Sequence, residues 1–170
     1  MAVILETPRL RLRDMSIDDL DFIAEQLADP DVMRYYPKQY SRDESAQWID
    51  RILKRYERDG HGMWLVENRE TCQPVGQVGL LTQQIDGESL LEIGYLIHRP
   101  FWRQGFAFEA ASGVRDHAFQ KLGASHVVSL IRPENIPSQG VARKVGMRRE
   151  ERVVQHGSFD HWVFSLDRSS

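Results

Sequence analysis

The chain has 170 residues, 41% of them apolar and 28% charged, with a formal net charge of −3. That size suits one domain, 1–170, with enough apolar material to fill a core. The acidic balance excludes a protein that holds nucleic acid through an overall basic surface, so no direct nucleic-acid binding is expected. No apolar run approaches the roughly 18 residues of a membrane span, and Met1-Ala2-Val3-Ile4-Leu5-Glu6 lacks the basic and long apolar segments of a secretory signal. A cytoplasmic location away from membranes is the expectation.

Between Arg9 and Arg13, charge alternates with Leu10 and Leu12, as on a half-buried strand. Ser16 can cap a helix over about 17–28, with Ile17, Leu20, Ile23, Ala24 and Leu27 on one face. An aromatic-rich connection from Asp29-Pro30 to Tyr40 leads to Ser41-x-x-Glu44. This capping box opens a second helix, which buries Ala46, Ile49, Ile52, Leu53 and Tyr56 and stops at Gly60. Strands follow at about 63–68, 75–83 and 90–97, separated by Gln73-Pro74 and Asp86-Gly87. Cys72, the only cysteine, excludes an internal disulfide, and no base lies near it in sequence to make it a nucleophile.

A long helix at about 105–121 presents Phe108, Ala111, Val114, Ala118 and Leu122 on one stripe, with Gly123 as its stop. A strand at 126–131, a short helix at about 137–145 ended by Gly146, and two strands around Gly157-Ser158 complete the pattern. Helices intercalated among hairpins imply an α/β class (mixed α+β). The expected sheet is mixed and mostly antiparallel, with about six to seven strands flanked by about four helices.

The segment from Pro100 to Ala110 joins the apolar strand to the long helix. A glycine at the first turn, Gly105, leaves backbone N–H groups bare and approachable. Those donors, with the positive helix end, suit a phosphate or pyrophosphate, which points to a phosphorylated cofactor. His98-Arg99-Pro100, an aromatic residue, Trp102, Gly105, a second aromatic, Ala107 and Glu109-Ala110 resemble the acetyl-CoA loop of the GNAT superfamily of N-acetyltransferases. The likeness is to the branch that acetylates ribosomal-protein N-termini; Trp102 stands where the general pattern has Gln or Arg. Four further segments are similar to that branch, in order: Glu6-Thr7-Pro8-Arg9-Leu10-x-Leu12-Arg13, Glu92-Ile93-Gly94-Tyr95, Asn135-x-x-Ser138 with Lys144-Val145-Gly146-Met147, and Gly157-x-Phe159-Asp160 with Val163-Phe164-Ser165-Leu166.

The resemblance implies an acetyl-CoA-dependent N-acetyltransferase domain over 1–170, acting by direct attack on a primary amine such as a protein N-terminus. It implies that backbone N–H groups of Arg103, Gln104, Gly105, Phe106 and Ala107 hold the pyrophosphate. Leu96 and Ile97 would supply backbone hydrogen bonds to the pantetheine arm, with an N–H facing the thioester oxygen. Asn135 would bind that arm or tie a splayed strand. Where many relatives carry a general-acid tyrosine this chain has Ala142, which leaves Ser138 as a substitute acid or as a helix cap.

Glu92 shares a strand face with Gly94 and Leu96. A carboxylate in so apolar a strand needs a reason, either as the base that takes the amine proton or as an ion-pair partner of an arginine. Tyr35 and Tyr36, with Tyr40, Asp29 and Asp31, could receive a cationic acceptor through aromatic faces and carboxylates, or could anchor the core. His98 lies close to the expected thioester, and His156 and His161 flank a hairpin; none of the histidines has metal-ligand spacing on one helix, so no metal is expected. Basic residues at Arg143, Lys144, Arg148, Arg149 and Arg152 form either a solvated helix end or a contact for the cofactor's 3′-phosphate or for RNA. A small-molecule acetyltransferase and a non-catalytic acetyl-CoA-binding protein stand as alternatives. Exposed strand edges are compatible with a homodimer.

Overall fold

A computed structural model describes residues 2–169; Met1 and Ser170, the ends of the expected 1–170 domain, lie outside the described residues. The strands are β1 (Val3–Glu6), β2 (Leu10–Arg13), β3 (Met63–Asn68), β4 (Pro74–Ile85), β5 (Glu88–Ile97), β6 (His126–Ile131), β7 (Arg148–His156) and β8 (Phe159–Asp167). The helices are α1 (Leu20–Ala28), α2 (Arg42–Asp59), α3 (Phe106–Gln120) and α4 (Ile136–Val145). All eight strands form one sheet in the order β1-β2-β3-β4-β5-β6-β8-β7. Every neighbouring pair is antiparallel except β5 and β6, which the α3 crossover makes parallel.

The sheet thus has one strand more than the upper expectation, and the extra one is β1. It pairs with β2 through a tight connection in which the Thr7 N–H donates to the Leu10 carbonyl at 2.9 Å. Four residues without a glycine or hydrophobic alternation beyond Val3–Leu5 leave little periodicity to read. The first helix also differs in its opening. Ser16 forms its capping box with Asp19, but residues 17–19 wind as a 3-10 turn before α1 begins, and Ile17 faces solvent. Phe108 and Leu122, at the two ends of the expected α3 stripe, are likewise exposed; Ala110, Ala111, Val114 and Ala118 carry the contact instead. Small side chains let α3 lie close against the sheet.

The layering places a core on each side of the sheet. One face buries Leu10, Trp64, Val78, Ile93 and Phe164 against α3 and α4. The other buries Met63 and Leu65 against Ile23 and Leu27 of α1 and Ile49 and Ile52 of α2. Each fully buried aliphatic or aromatic side chain contributes about 1.5–3 kcal/mol.

One buried ion network ties the entry of α1 to the sheet. Arg13 on β2 meets Asp19 at 2.8 Å and Glu67 on β3 at 3.2 Å, and the Asp19 carboxylate also accepts the Ser16 N–H at 2.9 Å. Removing one partner of a buried pair costs about 3–5 kcal/mol because a charge stays behind without water. Asp19→Ala is therefore expected to lower Tm by roughly 6–20 °C, at about 2–4 °C per kcal/mol for a chain of this size. Thermal melts of the two proteins check this, and a change under about 2 °C would mean that the other partners of Arg13, Glu67 among them, satisfy it.

Candidate active site

The structure departs from a continuous sheet at β5 and β6. These strands share a single register pair, Glu92↔Val128, and diverge beyond it. Side chains take over from the ladder at the point of divergence: the Leu130 N–H donates to the Glu92 carboxylate at 3.1 Å, and the Ser129 hydroxyl donates to the Ile93 carbonyl at 2.7 Å. The result is a wedge-shaped opening with Glu92 at its apex.

Glu92 is only 8% exposed. Gln83 Nε2 donates to its other oxygen at 3.0 Å, and among the described residues no cation lies within ion-pair distance of it. Of the two readings of Glu92, the arginine ion pair is therefore not the one observed. Burial pushes its carboxyl above the ordinary value, against the opposing pull of Gln83, the Leu130 N–H and the charges of His161 and Arg55. A carboxylate with a raised pKa is a better proton acceptor, provided that the working pH keeps it ionised.

Two phenols feel the charge of this carboxylate. Tyr36 is 37% exposed, and it lies near enough for the Glu92 charge to act on its phenol. Tyr95 on β5 donates to the Ser138 carbonyl at 2.6 Å. Burial first, and then the Glu92 charge, raise both phenols well above the usual tyrosine value, so both stay protonated. His161 on β8 lies near enough to act on Glu92 electrostatically. Its Nδ1 lies 3.0 Å from the Phe159 carbonyl, which can only accept, so that nitrogen carries the hydrogen and Nε2 holds the lone pair. Burial lowers the His161 pKa and keeps the ring neutral near pH 7.

The structure separates the remaining candidates. Tyr36 joins Trp48 and Tyr40 in an aromatic cluster, with ring centroids 6.5 Å and 5.6 Å from Trp48. Tyr35 is held by its backbone, whose carbonyl accepts from Arg132 at 3.2 Å, while its ring lies under Arg34. Asp29 and Asp31 bind Arg99 at 2.8 Å and 3.4 Å, so these carboxylates tie the loop after β5 to the α1–α2 connection and share one positive charge. Asn135 is the N-cap of α4, its side chain accepting the Ser138 N–H at 3.2 Å. Ser138 sits in the first turn of α4 and is not its cap. His98 is buried against Phe22, with Nε2 3.7 Å from Glu25.

The basic cluster disperses over β8 and its neighbours: Arg143 lies over Phe164, Arg149 stacks 3.4 Å from the Trp162 centroid, and Arg152 pairs with Glu88 and Glu150. Among the described residues no three His, Cys, Asp or Glu side chains converge as a metal site, and no helix is long and apolar enough to cross a membrane.

At the other side of the opening stands the N-terminus of α3. Arg103, Gln104 and Gly105 are exposed, and Gly105 is the N-cap at φ +79°. Arg103 also has positive φ, at 62°. Arg9 stacks 4.5 Å from the Phe106 centroid and bonds Glu109 at 2.7 Å, so the one acidic side chain of the first turn is neutralised. The Trp102 indole donates to the Ile97 carbonyl at 2.7 Å and folds the loop back on the end of β5. That tie explains a tryptophan at a position where the family pattern has a polar residue.

Residues 9–148 match the family model of the acetyltransferase (GNAT) domain. The chain belongs to the GNAT acetyltransferases. It is 33% identical over 150 residues to YkkB of Bacillus subtilis, spanning 88% of this chain and 87% of that protein. It is 30% identical over 175 residues to YoaA of B. subtilis, named as an uncharacterized N-acetyltransferase, with 98% and 97% covered. Among solved structures, an acetyltransferase from Agrobacterium tumefaciens superposes with a TM-score of 0.85 at 26% identity, over 99% of this chain and 95% of that one. RimL, a ribosomal L7/L12 α-N-protein acetyltransferase solved with coenzyme A, shares the fold with a TM-score of 0.77 at 16% identity, over 98% of both chains.

Within this GNAT enzyme, reading the sequence assigns no role to Tyr95, Trp48 or the Trp102 tie, and it has His161 as a hairpin histidine that could face the acceptor or pack. Tyr95 reads as one more apolar strand residue, and its Ser138 partner lies 43 residues away along the chain.

Proposed function

We propose that this enzyme transfers an acetyl group from acetyl-CoA to a primary amine by direct attack, with Glu92 as the proton acceptor. The observation that carries the reading is the wedge between β5 and β6, with a buried carboxylate at its apex, an aromatic cluster on one side and an exposed helix N-terminus on the other.

The residues present fit the cofactor. Gly105 at positive φ, open to solvent, leaves no Cβ between the α3 N-terminal amides and a pyrophosphate, and those N–H groups have no i−4 partner within the helix. Arg103 and Gln104 precede them on the same exposed turn. Strand alternation fixes where β5 can offer main-chain groups. The His98 N–H bonds the Val75 carbonyl on β4, so the N–H of Ile97 points the opposite way, into the wedge. Of the two strand residues expected to serve the pantetheine arm, Ile97 is thus the one whose N–H can reach it. Bound there, acetyl-CoA supplies a thioester activated for attack by a neutral amine.

An alkyl ammonium has a pKa near 10.4 and an α-ammonium near 8, so the amine must lose a proton before it attacks. Glu92 is the buried acceptor for it. Tyr36, Tyr40 and Trp48 would offer aromatic faces to a cationic acceptor. On the α4 side, the Ser138 hydroxyl and the Tyr95 phenol, which donates to the Ser138 carbonyl, are the candidates to return a proton to the departing thiolate. The acceptor we favour is a protein N-terminus, the substrate named for RimL, entering at the α1–α2 connection.

The test is thiol release from acetyl-CoA with three acceptor sets: peptides with a free N-terminus, the same peptides N-terminally blocked, and small polyamines or amino acids. Turnover with free but not blocked peptides is expected, and Tyr36→Ala is expected to raise the acceptor KM about tenfold through loss of one cation–π contact. Turnover confined to small amines would redirect the acceptor assignment. Tight cofactor binding without turnover on any amine would leave a non-catalytic binder.

A further inference from the structure

Gln26 on α1 and Gln77 on β4 are both fully buried. They are linked in a single line. The Trp48 indole N–H donates to Gln77 Oε1 at 2.9 Å, Gln77 Nε2 donates to Gln26 Oε1 at 2.9 Å, and Gln26 Nε2 donates to the Leu96 carbonyl at 2.8 Å. An indole can only donate and a carbonyl can only accept, so the two ends force the orientation of both amides. The line therefore runs in one direction, from the aromatic cluster at the acceptor entrance to the end of β5.

Its terminus matters because of peptide geometry. The Leu96 carbonyl and the Ile97 N–H belong to one planar trans peptide unit and point in opposite directions. The carbonyl turns towards β4 and Gln26; the N–H turns into the wedge. Hydrogen bonds onto a carbonyl polarise the attached N–H, and a chain of bonds aligned head to tail reinforces this by roughly 10–30% per bond.

We propose that the Trp48–Gln77–Gln26 line is a polarising relay that strengthens the Ile97 N–H as the donor to the thioester oxygen, and that Gln26 and Gln77 are positioning residues for acetyl transfer. The proposal rests on the acetyl-transfer reading given above. It also accounts for two glutamines in a core where leucine would pack without needing partners. A purely structural pair would have no need to end on this one carbonyl.

The deciding experiment uses the full-length chain without cofactor. In 1H–15N spectra, Gln26→Leu is expected to move the Ile97 amide nitrogen upfield, by more than the amides of Gly94 or Tyr95. Trp48→Phe, which keeps an aromatic ring but removes the first donor, is expected to move it the same way by less. With acetyl-CoA and an accepted amine, Gln26→Leu should lower kcat about two- to fivefold at unchanged acetyl-CoA KM, the scale expected if a donor of this kind is weakened by a fraction of its effect. An unmoved Ile97 amide in both variants would overturn the relay. So would an Ile97 shift no larger than its neighbours', since general loosening of the core would give that. If Gln26→Leu does not fold, Trp48→Phe and Gln77→Leu decide by the same amide. Failure of wild type to turn over any amine strikes the acetyl-transfer reading instead, and the amide shift still decides whether the relay exists.

Discussion

Glu92→Gln is expected to make the enzyme more stable at neutral pH while lowering kcat by roughly 10²-fold or more, the usual scale for loss of a general base. The two effects share one cause. Burial raises the Glu92 carboxyl above its unfolded value. A carboxyl raised on folding stabilises the folded state fully below the unfolded pKa, and that contribution is lost as pH climbs through the folded pKa. At about pH 7.5 the wild type therefore carries a buried charge that the unfolded chain would hold more easily, and glutamine removes it. The substituted side chain also fits. Its amide oxygen can keep the Leu130 N–H, while Gln83 turns its own amide to accept from the new NH2 group. Melts of both proteins at about pH 7.5 and about pH 4 should show the variant higher at the first and the two converging at the second. Saturating pH–rate profiles should show an acid limb in wild type that is absent from the variant. A variant that is less stable at neutral pH would mean that Glu92 is held as a structural anion, and the base would have to be sought in His161.

What could be read from the chain divides by how local the cause is. The α2 capping box and its left-handed Gly60, the Gly146 stop of α4, and the strands from 63 to 97 are set by residues within a turn of one another, and the sequence period and caps suffice to find them. The family and the mixed sheet follow because several short motifs recur in order. The site is only partly legible. Glu92 stands out as a charge in an apolar strand, and Gly105 as a glycine between strand and helix. Asp29 and Asp31 mislead, because their partner Arg99 lies some 70 residues away along the chain, and nothing in their neighbourhood announces it. Gln26 falls three residues after Ile23 on the apolar face of α1. A polar residue on such a face is the one local hint of the buried relay, but its partners come from α2, β4 and β5. Tyr95 is invisible for the same reason, since its partner lies on α4, while His161 is legible only as a hairpin histidine.

Gly105→Glu should abolish measurable acetyl-CoA binding in a calorimetric titration, and Gly105→Ala should separate the reasons. At φ +79° any side chain incurs the left-handed penalty, about 1–2 kcal/mol, so both variants should melt roughly 2–8 °C below wild type. A Cβ at this position would have Arg9 Nη2 as its nearest neighbour, at 3.4 Å, so no packing clash adds to that strain. Relief of the strain would rotate the peptide and re-aim the N–H groups at the head of α3, and alanine is expected to weaken binding about tenfold on that account. Glutamate adds a negative charge where the cofactor would bring its own. Part of that charge can be taken up by Arg9, which already serves Glu109, so the remaining repulsion is electrostatic and long-ranged enough to be screened. Raising the salt from about 0.05 M to about 0.5 M should therefore narrow the gap between the glutamate and alanine variants and leave the gap between alanine and wild type nearly unchanged. If glutamate binds as well as alanine at low salt, no phosphate lies at the α3 N-terminus, and the cofactor's charged end must be held elsewhere on the wedge.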